Sequence, residues 1–559
     1  MPRFNPVAVV ILFFCVALLA SSGNAMIHDP RAINADPATA TEAIAPRLDG
    51  LGTHTHPITT SNPDSQYFFD QGLRLTYGFN HSEALRSFKE AVRLDPNNAM
   101  AYWGWALVLG PNINLPMQPE VNEQAFDAIQ QAMARTDQVS PAERAYIEAL
   151  QVRYAPVAPD DRSSLDQAYA DAMAEVVASY PDDSDAATLY AAALMNLSPW
   201  NYWNGDGSPK PNTTVLLDTL QTVVDTNPEH PGALHYYIHT VEAVHPGRGE
   251  PAADTLQGLM PGAGHMVHMP SHIYMRVGRY ADSFEANRLA SDADASYITQ
   301  CRAQGIYPLN YYPHNLHFMV WSAMFQGASE NAMIRAREVQ SKIPVDKSGN
   351  AFGAYETFLA QPLYVMVRFG MWDRILAEPE PAESNLFVRG VWHYARGMAY
   401  ANTGSKRKAN SELKKLRKAR ERVGTDYGIG FGSGPLLLTI AELVLNGDLD
   451  SKSGKYDRAI ATLARAARLE DSLLYNEPPD WYFPTRHVLG AVLLEGGYAR
   501  EAEVVYWQDL RKNPANGFSL LGLSQALQAQ GNDAGAAEVR SEFETAWRDA
   551  DVQLTSSRF

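Results

Sequence analysis

The apolar residues of this chain recur three and four positions apart over most of its length, which is the spacing of one face of an α-helix. Residues 66–96 show the pattern clearly, with small residues where two neighbouring helices would touch. A proline ends the second helix, because proline has no amide hydrogen to donate and its ring clashes with the preceding turn. The stretch therefore predicts two antiparallel helices, and its marker positions are Phe68, Gly72, Leu75, Ala84, Phe88, Ala91 and Pro96.

Copies of this pattern follow at a spacing of about 34 residues, some of them degenerate. Helices are also predicted between residues 142 and 226, where the spacing is blurred. Seven positions agree in register with a tetratricopeptide repeat, so the chain resembles the tetratricopeptide repeat (TPR) family. The clearer copies span residues 265–294, 313–339, 386–423, 441–469, 483–514 and 518–547.

The resemblance implies an all-α fold without a sheet. In a TPR-like helical solenoid, antiparallel helix pairs stack as a right-handed superhelix. The alternating glycines at 428–434 are expected to form a flexible turn, since no lysine follows them as a phosphate-binding loop requires. The predicted organisation is a signal peptide at 1–25, a linker at 26–60, N-terminal TPR-like repeats at 61–230, histidine-rich TPR-like repeats at 231–345 and C-terminal TPR-like repeats at 346–559.

The first 25 residues have the form of a secretory signal. Arg3 precedes an apolar run from Val7 to Ala20, and small residues occupy the positions before a cleavage site at Ala25. The run is too short for a comfortable membrane span of about 20 residues. We therefore expect a periplasmic or secreted protein that does not insert into the membrane after signal cleavage.

Charge and cysteine content narrow the range of partners. The formal net charge of −17 argues against nucleic acid and anionic membranes as partners. Of the two cysteines, Cys15 lies in the signal peptide, so Cys301 has no partner for an intrachain disulfide. We expect Cys301 to be a buried, small apolar residue rather than a metal ligand.

Histidines are concentrated in the middle of the chain. The segment from His230 to His317 holds nine of the 15 histidines, where an even spread would give about two. Several of them are three or four residues apart, so each group projects from one face of its predicted helix. Outside this segment, His54 and His56 in the linker could also reach a metal. We expect this pair to be solvated rather than bound to a metal.

The TPR resemblance places the histidines relative to one another. Gly278 and Gly327 match the turn glycine of the repeat, which fixes the register of the preceding helices. In the family, the corresponding helix positions line a concave groove, whereas His230 and His245 fall off that face. The resemblance thus implies a shared groove for His235, His239, His265, His268, His272, His314 and His317, together with the carboxylate of Glu242.

Seven imidazoles on one surface fit a metal better than acid–base catalysis, because they would repel one another once protonated. Neutral imidazoles with at most one carboxylate suit zinc, copper, iron or nickel rather than magnesium or calcium. We expect copper or zinc, with iron possible, in a site of one or two ions. Three methionines, Met266, Met269 and Met275, would favour copper if one faced the site, and Met275 is the best placed.

Two functions compete. The first is an exported metal-binding protein that acts as a metalloenzyme on a small molecule or peptide in the groove. Glu242 would then serve as a ligand or as a catalytic proton carrier. Aromatic loops at 200–203 and 307–312 would then form the pocket walls, and oxidation and hydrolysis both remain open. The second is a periplasmic interaction scaffold without catalysis, whose groove holds a peptide. A coincidence of helix packing is the third reading.

Overall fold

Helices make up nearly all the regular structure of the computed structural model, which describes residues 29–301, 310–345, 355–425, 427–430 and 432–559. The predicted all-α, TPR-like helical fold is confirmed. The predicted signal peptide and Tyr307 lie outside the described residues. None of the described helices has the length and apolar character needed to cross a membrane.

The first half of the chain forms consecutive helices joined by short connections. Two 3-10 turns, Pro119–Val121 and Thr136–Gln138, lie among them. The helices are α1 (Pro30–Asn34), α2 (Pro63–Tyr77), α3 (His81–Leu94), α4 (Ala99–Leu109), α5 (Asn122–Met133), α6 (Pro141–Gln151), α7 (Ser163–Ser179), α8 (Ser184–Leu197), α9 (Thr213–Thr226), α10 (Pro231–Val241), α11 (Pro246–Leu256), α12 (Gly264–His268), α13 (Pro270–Val277) and α14 (Tyr280–Cys301).

The second half repeats the arrangement and contains one small exception to it. Strands β1 (Gly428–Ile429) and β2 (Gly432–Ser433) pair antiparallel, where the sequence predicts a turn without strands. The helices are α15 (Tyr312–Gln326), α16 (Ser329–Lys342), α17 (Glu356–Arg368), α18 (Trp372–Ala377), α19 (Leu386–Asn402), α20 (Lys406–Arg422), α21 (Gly434–Ser451), α22 (Tyr456–Asp471), α23 (Thr485–Glu495), α24 (Ala499–Lys512), α25 (Gly517–Ala529) and α26 (Asp533–Ala546).

The chain divides into two compact units. The N-terminal unit contains Asn24–Ile273 and Leu289–Tyr312, and the C-terminal unit contains Tyr274–Arg288 and Pro313–Phe559. The boundaries at residues 230 and 345 predicted from the sequence repeats stay a prediction.

Glycine at the helix contacts explains the repeat pattern in physical terms. The Phe88 ring of α3 is fully buried between α2 and α4. A Cβ atom at Gly72 would lie 2.8 Å from that ring, and one at Gly104 would lie 2.3 Å from it. Both distances are shorter than atoms can approach, so the close packing of these helices requires glycine at both positions.

The segment before α2 packs along the first helix pair. We call residues 29–60 the strap. Gln71 of α2 accepts a hydrogen bond from the Leu48 amide at 2.8 Å and donates one to the Pro46 carbonyl at 2.9 Å. Glu90 of α3 accepts one from the Ile44 amide at 2.8 Å. Side chains of the helices thus satisfy backbone groups that the strap cannot pair within itself.

Lys89 fastens the start of the strap. Its side chain is fully buried in α3, and its ammonium donates to the carbonyls of Ala32, Ile33 and Ala35 at 2.8, 2.9 and 2.9 Å. These carbonyls belong to the end of α1, where helix carbonyls lack partners within the helix. One cation therefore caps α1 and holds it against the repeats.

Replacing this lysine tests how strongly the strap is held. Lys89→Met keeps most of the apolar stem but leaves buried carbonyls without a donor. We expect the free energy of unfolding to fall by about 1–3 kcal/mol. Urea denaturation measures the change, and Lys418→Met, at an exposed position, is the control. Equal unfolding midpoints for both variants would show that the cap contributes nothing.

Candidate metal centre

Helix α10 carries the first two histidines of the centre. Its N-cap is His230, and Pro231 occupies the first turn, where the missing proline amide costs nothing. Every residue of α10 is buried. His235 and His239, four residues apart, therefore share one face inside the protein.

Proline divides the second group of histidines between two helices. The sequence predicts one continuous helix through His265, His268 and His272, but α12 ends at His268 and α13 begins at Pro270. Pro270 cannot donate a helical hydrogen bond, which interrupts the hydrogen-bond pattern, although Met269 before it keeps helical backbone angles of φ −52° and ψ −39°. The break does not separate the side chains, since Nε2 of His268 lies 2.9 Å from Nε2 of His272.

Only glycine permits the start of α12. A Cβ atom at Gly264 would lie 1.8 Å from Oδ1 of Asp294, which is buried. The carboxylate thus approaches the helix N-terminus, where a negative charge is favourable. The contact fixes the position of the helix that carries His265.

Five of the seven predicted ligands meet inside the N-terminal unit. Each is at most 4% exposed. His235, His239 and His265 each offer a ligand nitrogen, and these three atoms lie within 4.8 Å of one another. Nε2 of His235 and Nε2 of His265 are 3.2 Å apart. His268 and His272 adjoin this trio, with ring-centroid distances of 5.9 Å from His265 to His268 and 5.8 Å from His239 to His272.

Hydrogen bonds at Nδ1 orient two members of the trio. Nδ1 of His235 lies 2.6 Å from the Tyr77 carbonyl oxygen, which only accepts, so Nδ1 carries the hydrogen. Nδ1 of His239 lies 3.3 Å from Oε1 of Glu242, and Nε2 of His239 has no hydrogen-bond partner among the described residues. Both Nε2 atoms therefore keep their lone pairs, which is the tautomer that a metal ligand needs.

Burial keeps the trio neutral. Loss of hydration lowers the pKa values of His235, His239 and His265 well below the ordinary value, and the neighbouring imidazoles lower them further. Neutral imidazole is the form that binds a metal. Burial thus favours the protonation state of these three histidines that a metal site would need.

Glu242 joins the two groups of histidines. Its carboxylate is 1% exposed, with Oε1 at 3.3 Å from Nδ1 of His239 and Oε2 at 3.2 Å from Nδ1 of His272. In both rings the nitrogen nearest the carboxylate is Nδ1, so Nε2 points elsewhere. The contact with His239 is a hydrogen bond that can orient this imidazole, whereas the contact with His272 is a close approach without hydrogen-bond geometry.

His314 and His317 belong to the C-terminal unit. The His314 ring lies 5.0 Å from that of Phe318, and the His317 ring lies 5.4 Å from that of Phe358. Burial lowers the pKa of His317 to about 3, against a hydrogen bond with Gln361 that raises it. Their participation in the centre stays a prediction.

Met275, the best placed of the three methionines that would favour copper, packs against other side chains of the C-terminal unit. Met275 packs in an apolar cluster with Phe318 and Trp321, and its sulfur accepts a hydrogen bond from Ser322 at 3.2 Å. Met266 is fully buried, and its Cγ would lie 3.3 Å from a Cβ atom at Gly78. The packing of these side chains explains them without a metal.

Two aromatic rings border the centre. Trp200 meets His239 edge-on with ring centroids 4.9 Å apart, and Tyr311 lies 4.9 Å from His265. Trp200 has a φ of 60°, a left-handed conformation that is unfavourable for a large residue. Of the two aromatic loops predicted as walls, the structure thus brings one residue from each to the histidines.

A second cluster of histidines surrounds Asp185 and differs from the sequence-based expectation. Oδ1 of Asp185 lies 2.9 Å from Nε2 of His54 and 3.2 Å from Nε2 of His230, and it accepts a hydrogen bond from the Tyr77 hydroxyl. Oδ2 lies 2.9 Å from Nδ1 of His56. Side chains of His54 and His56 are only 13% and 15% exposed, so this pair is held by the fold rather than solvated.

The tautomer of His230 shows that its ring hydrogen-bonds to Asp185 and does not present a metal ligand to it. Nδ1 of His230 accepts a hydrogen bond from the Ala233 amide at 3.2 Å, as an N-cap. In a neutral ring the hydrogen is then on Nε2, which donates it to Asp185 and has no lone pair for a metal. Sequence reasoning set His230 aside, although its place before Pro231 at a helix start was a signal for capping. Asp185, in the region of blurred repeats, gave no such signal.

Comparisons with known proteins add little. No family model and no curated protein matches the chain. The structure of the human IFIT1 dimer with m7Gppp-AAAA has 14% identity over 89% of this chain and 92% of that chain, with a TM-score of 0.29. The structure of Naa15/Naa10 bound to HypK-THB has 13% identity over 87% of this chain and 71% of that chain, with a TM-score of 0.21. At these TM-scores the likeness supports no conclusion about function.

The cluster around Asp185 predicts a pH-dependent contribution to stability. Burial acts to lower the pKa of His56, but the hydrogen bond and charge of Asp185 prevail and raise it. A raised pKa in the folded state stabilises the fold fully below the unfolded value of about 6.5, and this contribution is lost as the pH rises through the folded value. His56→Gln should therefore destabilise the protein more at about pH 5.5 than at about pH 8.5.

Urea denaturation at both pH values measures this difference. His245→Gln, at an exposed position outside the cluster, is the matched control. An equal loss of stability at the two pH values for His56→Gln would show that the imidazole is not charged in its contact with Asp185.

Proposed function

We propose that the protein is an exported metalloprotein in which His235, His239 and His265 hold a transition-metal ion. The observation that supports this most is the joint presence of close nitrogens and correct tautomers. Nδ1 of His235 is engaged by a carbonyl and Nδ1 of His239 faces a carboxylate. His265 would change tautomer on binding a metal, because its Nε2 is the donor in the 3.2 Å contact with Nε2 of His235.

The distances are compatible with one ion after a small adjustment. Bonds from first-row metals to imidazole nitrogen are about 2.0–2.1 Å, so two nitrogens on one ion are at most about 4.2 Å apart. The His235 and His265 nitrogens, at 3.2 Å, already satisfy this limit. The ligand atoms of the trio lie within 4.8 Å of one another. In a tetrahedral site such atoms are about 3.4 Å apart, so the widest pair would close by about 1.4 Å or less.

Three imidazoles favour zinc or copper, and also suit iron. Sites with three protein ligands usually leave a position for water or substrate, whereas structural zinc sites have four. This favours an enzyme, and the ion would supply Lewis-acid or redox chemistry. His268 and His272, next to the trio, are candidates for extending the site to a second ion. Whether the reaction is oxidative or hydrolytic stays open.

Glu242 acts in this proposal as a positioning residue. Its two oxygens face Nδ1 of His239 and Nδ1 of His272. A carboxylate in that position fixes the ring orientation and makes the ligand nitrogen more basic. The sequence led us to expect a metal ligand or a proton carrier, whereas the hydrogen bond of its carboxylate with Nδ1 of His239 favours positioning.

A peptide-binding scaffold is the alternative, and the strap weakens the case for it. Peptide recognition by helical repeats needs polar side chains that are available to an incoming backbone. In the first helix pair, Gln71 and Glu90 already bind the backbone of the strap. Export to the periplasm or out of the cell is part of our proposal, supported by the signal-like sequence of residues 1–25.

Removing a proposed ligand should abolish metal uptake without unfolding the protein. For His235→Ala and His265→Ala we expect zinc or copper affinity to fall by about 100-fold or more, since each removes one of three donors. Equilibrium dialysis of untagged protein followed by elemental analysis measures the affinity.

His245→Ala is the control, because His245 is exposed and outside the cluster. Circular dichroism establishes that each variant is folded. Wild-type protein that takes up no transition metal, or ligand variants that bind as tightly as the control, would refute the proposal.

Glu242→Gln separates positioning from proton transfer. The amide keeps the shape but loses the charge that holds the imidazoles, so we expect metal affinity to fall by about 10- to 100-fold. With metal in excess the variant should retain turnover once a substrate is known. Unchanged metal affinity would contradict the positioning role.

A further inference from the structure

A pocket in the N-terminal unit reaches the candidate metal centre. Its volume is about 220 Å³, and His265 is the member of the histidine trio that lines it. The residues around it come from the strap, the end of α2, the segment before α12 and the C-terminal half of α14. The pocket is therefore adjacent to one of the three proposed ligands.

The strap forms one wall of the pocket. Leu48, Asp49 and Leu51 contribute to the lining. The Gly50 carbonyl accepts a hydrogen bond from the Gly262 amide at 2.7 Å, which fixes this wall to the opposite one. Gly50 has a φ of 75°, and a Cβ atom there would lie 2.9 Å from that amide nitrogen, so the contact requires glycine.

The lining is apolar with a few hydrogen-bonding groups. Leu48, Leu51 and Leu75 supply aliphatic surface. Asn80, Ser296 and Tyr297 supply an amide and two hydroxyls. The Tyr297 hydroxyl is directed to Oδ1 of Asn80 at 3.3 Å and Oε2 of Glu83 at 3.4 Å. A few polar groups within an apolar lining are the usual composition of a small-molecule site, where they fix the orientation of the ligand.

Among the residues that line the pocket, the acidic and basic side chains are of one sign. Asp49 lines it, and neither lysine nor arginine does. Asp49 is exposed, so it lies where solvent enters. An anionic ligand would meet a like charge at this entrance, whereas a neutral or cationic one would not. The volume is below the range of about 300–1,000 Å³ for drug-sized ligands.

From these features we propose that the pocket binds the substrate of the metal centre: a small, largely apolar molecule, neutral or singly cationic, with one hydrogen-bonding group. About ten non-hydrogen atoms fill such a volume. The proposal rests on the proposed function for the link to a metal. The pocket itself can be tested without one.

The test uses three probes of similar size and different charge, benzamide, benzylamine and phenylacetate. Each is titrated into the full-length protein without metal, with binding followed by calorimetry or ligand-observed NMR. We expect benzamide and protonated benzylamine to bind at least about ten times more tightly than phenylacetate, because only the anion is repelled by Asp49. Asp49→Asn should narrow this difference.

Two matched variants of α14 locate the binding. Ala293 lines the pocket, whereas Ala295 is exposed and does not. Ala293→Phe fills the pocket, so benzamide binding should weaken at least about tenfold, and Ala295→Phe should leave it unchanged. Equal binding to the two variants, or phenylacetate as the preferred probe, would overturn the proposal.

Cobalt substitution then tests the link to the metal. In the Co(II)-loaded protein, benzamide should shift the visible bands of the ion, and Ala293→Phe should remove that shift. Metal uptake without any benzamide-induced shift would overturn the role of the pocket as the substrate site. Benzamide binding that is lost in Ala293→Phe, in a protein that takes up no metal, would instead refute the proposed function and leave the pocket in place.

Discussion

The hydrogen bond at Nδ1 determines what each buried histidine of the N-terminal unit can bind. A neutral imidazole has one hydrogen, so a partner at one nitrogen sets the chemistry of the other. At His235 the Tyr77 carbonyl accepts the Nδ1 hydrogen, and Nε2 is left with a lone pair. At His230, five residues earlier, the Ala233 amide donates to Nδ1, and Nε2 is left with the hydrogen. Through backbone contacts alone, one of these two histidines thus presents a lone pair at Nε2 and the other presents a hydrogen there.

Tyr77 connects these two environments. Its carbonyl holds His235, and its hydroxyl donates to Asp185, which also contacts His230. Burial acts to raise the pKa of Asp185, but three histidines bring it well below the ordinary value. The carboxylate is therefore charged beside His230, while burial keeps His235 neutral. One tyrosine at the end of α2 positions a charged cluster and an uncharged one.

The fold was predictable from the sequence because packing imposes a strict pattern. Phe88 can lie between α2 and α4 only if Gly72 and Gly104 have no side chain, and such requirements recur at fixed spacing. The meeting of His235 and His239 with His265 followed from the same register. The interruption between α12 and α13 was not predictable from that register. The repeat pattern alone treats Pro270, two residues after His268, as part of one continuous helix. Nor could the pattern find Asp185, whose role depends on long-range contacts.

The strap shows why a low-periodicity segment can still be ordered. Periodicity reports burial of side chains, but the strap is bound through its backbone, by Lys89, Gln71 and Glu90. Backbone groups are the same in every residue, so this binding leaves almost no trace in the strap's own sequence. The sequence of the helices carries the signal instead, as polar side chains that are buried although the packing of the helix pair does not require them. Lys89, fully buried in an otherwise ordinary repeat, is such a residue, because only a segment from elsewhere in the chain can satisfy its ammonium group.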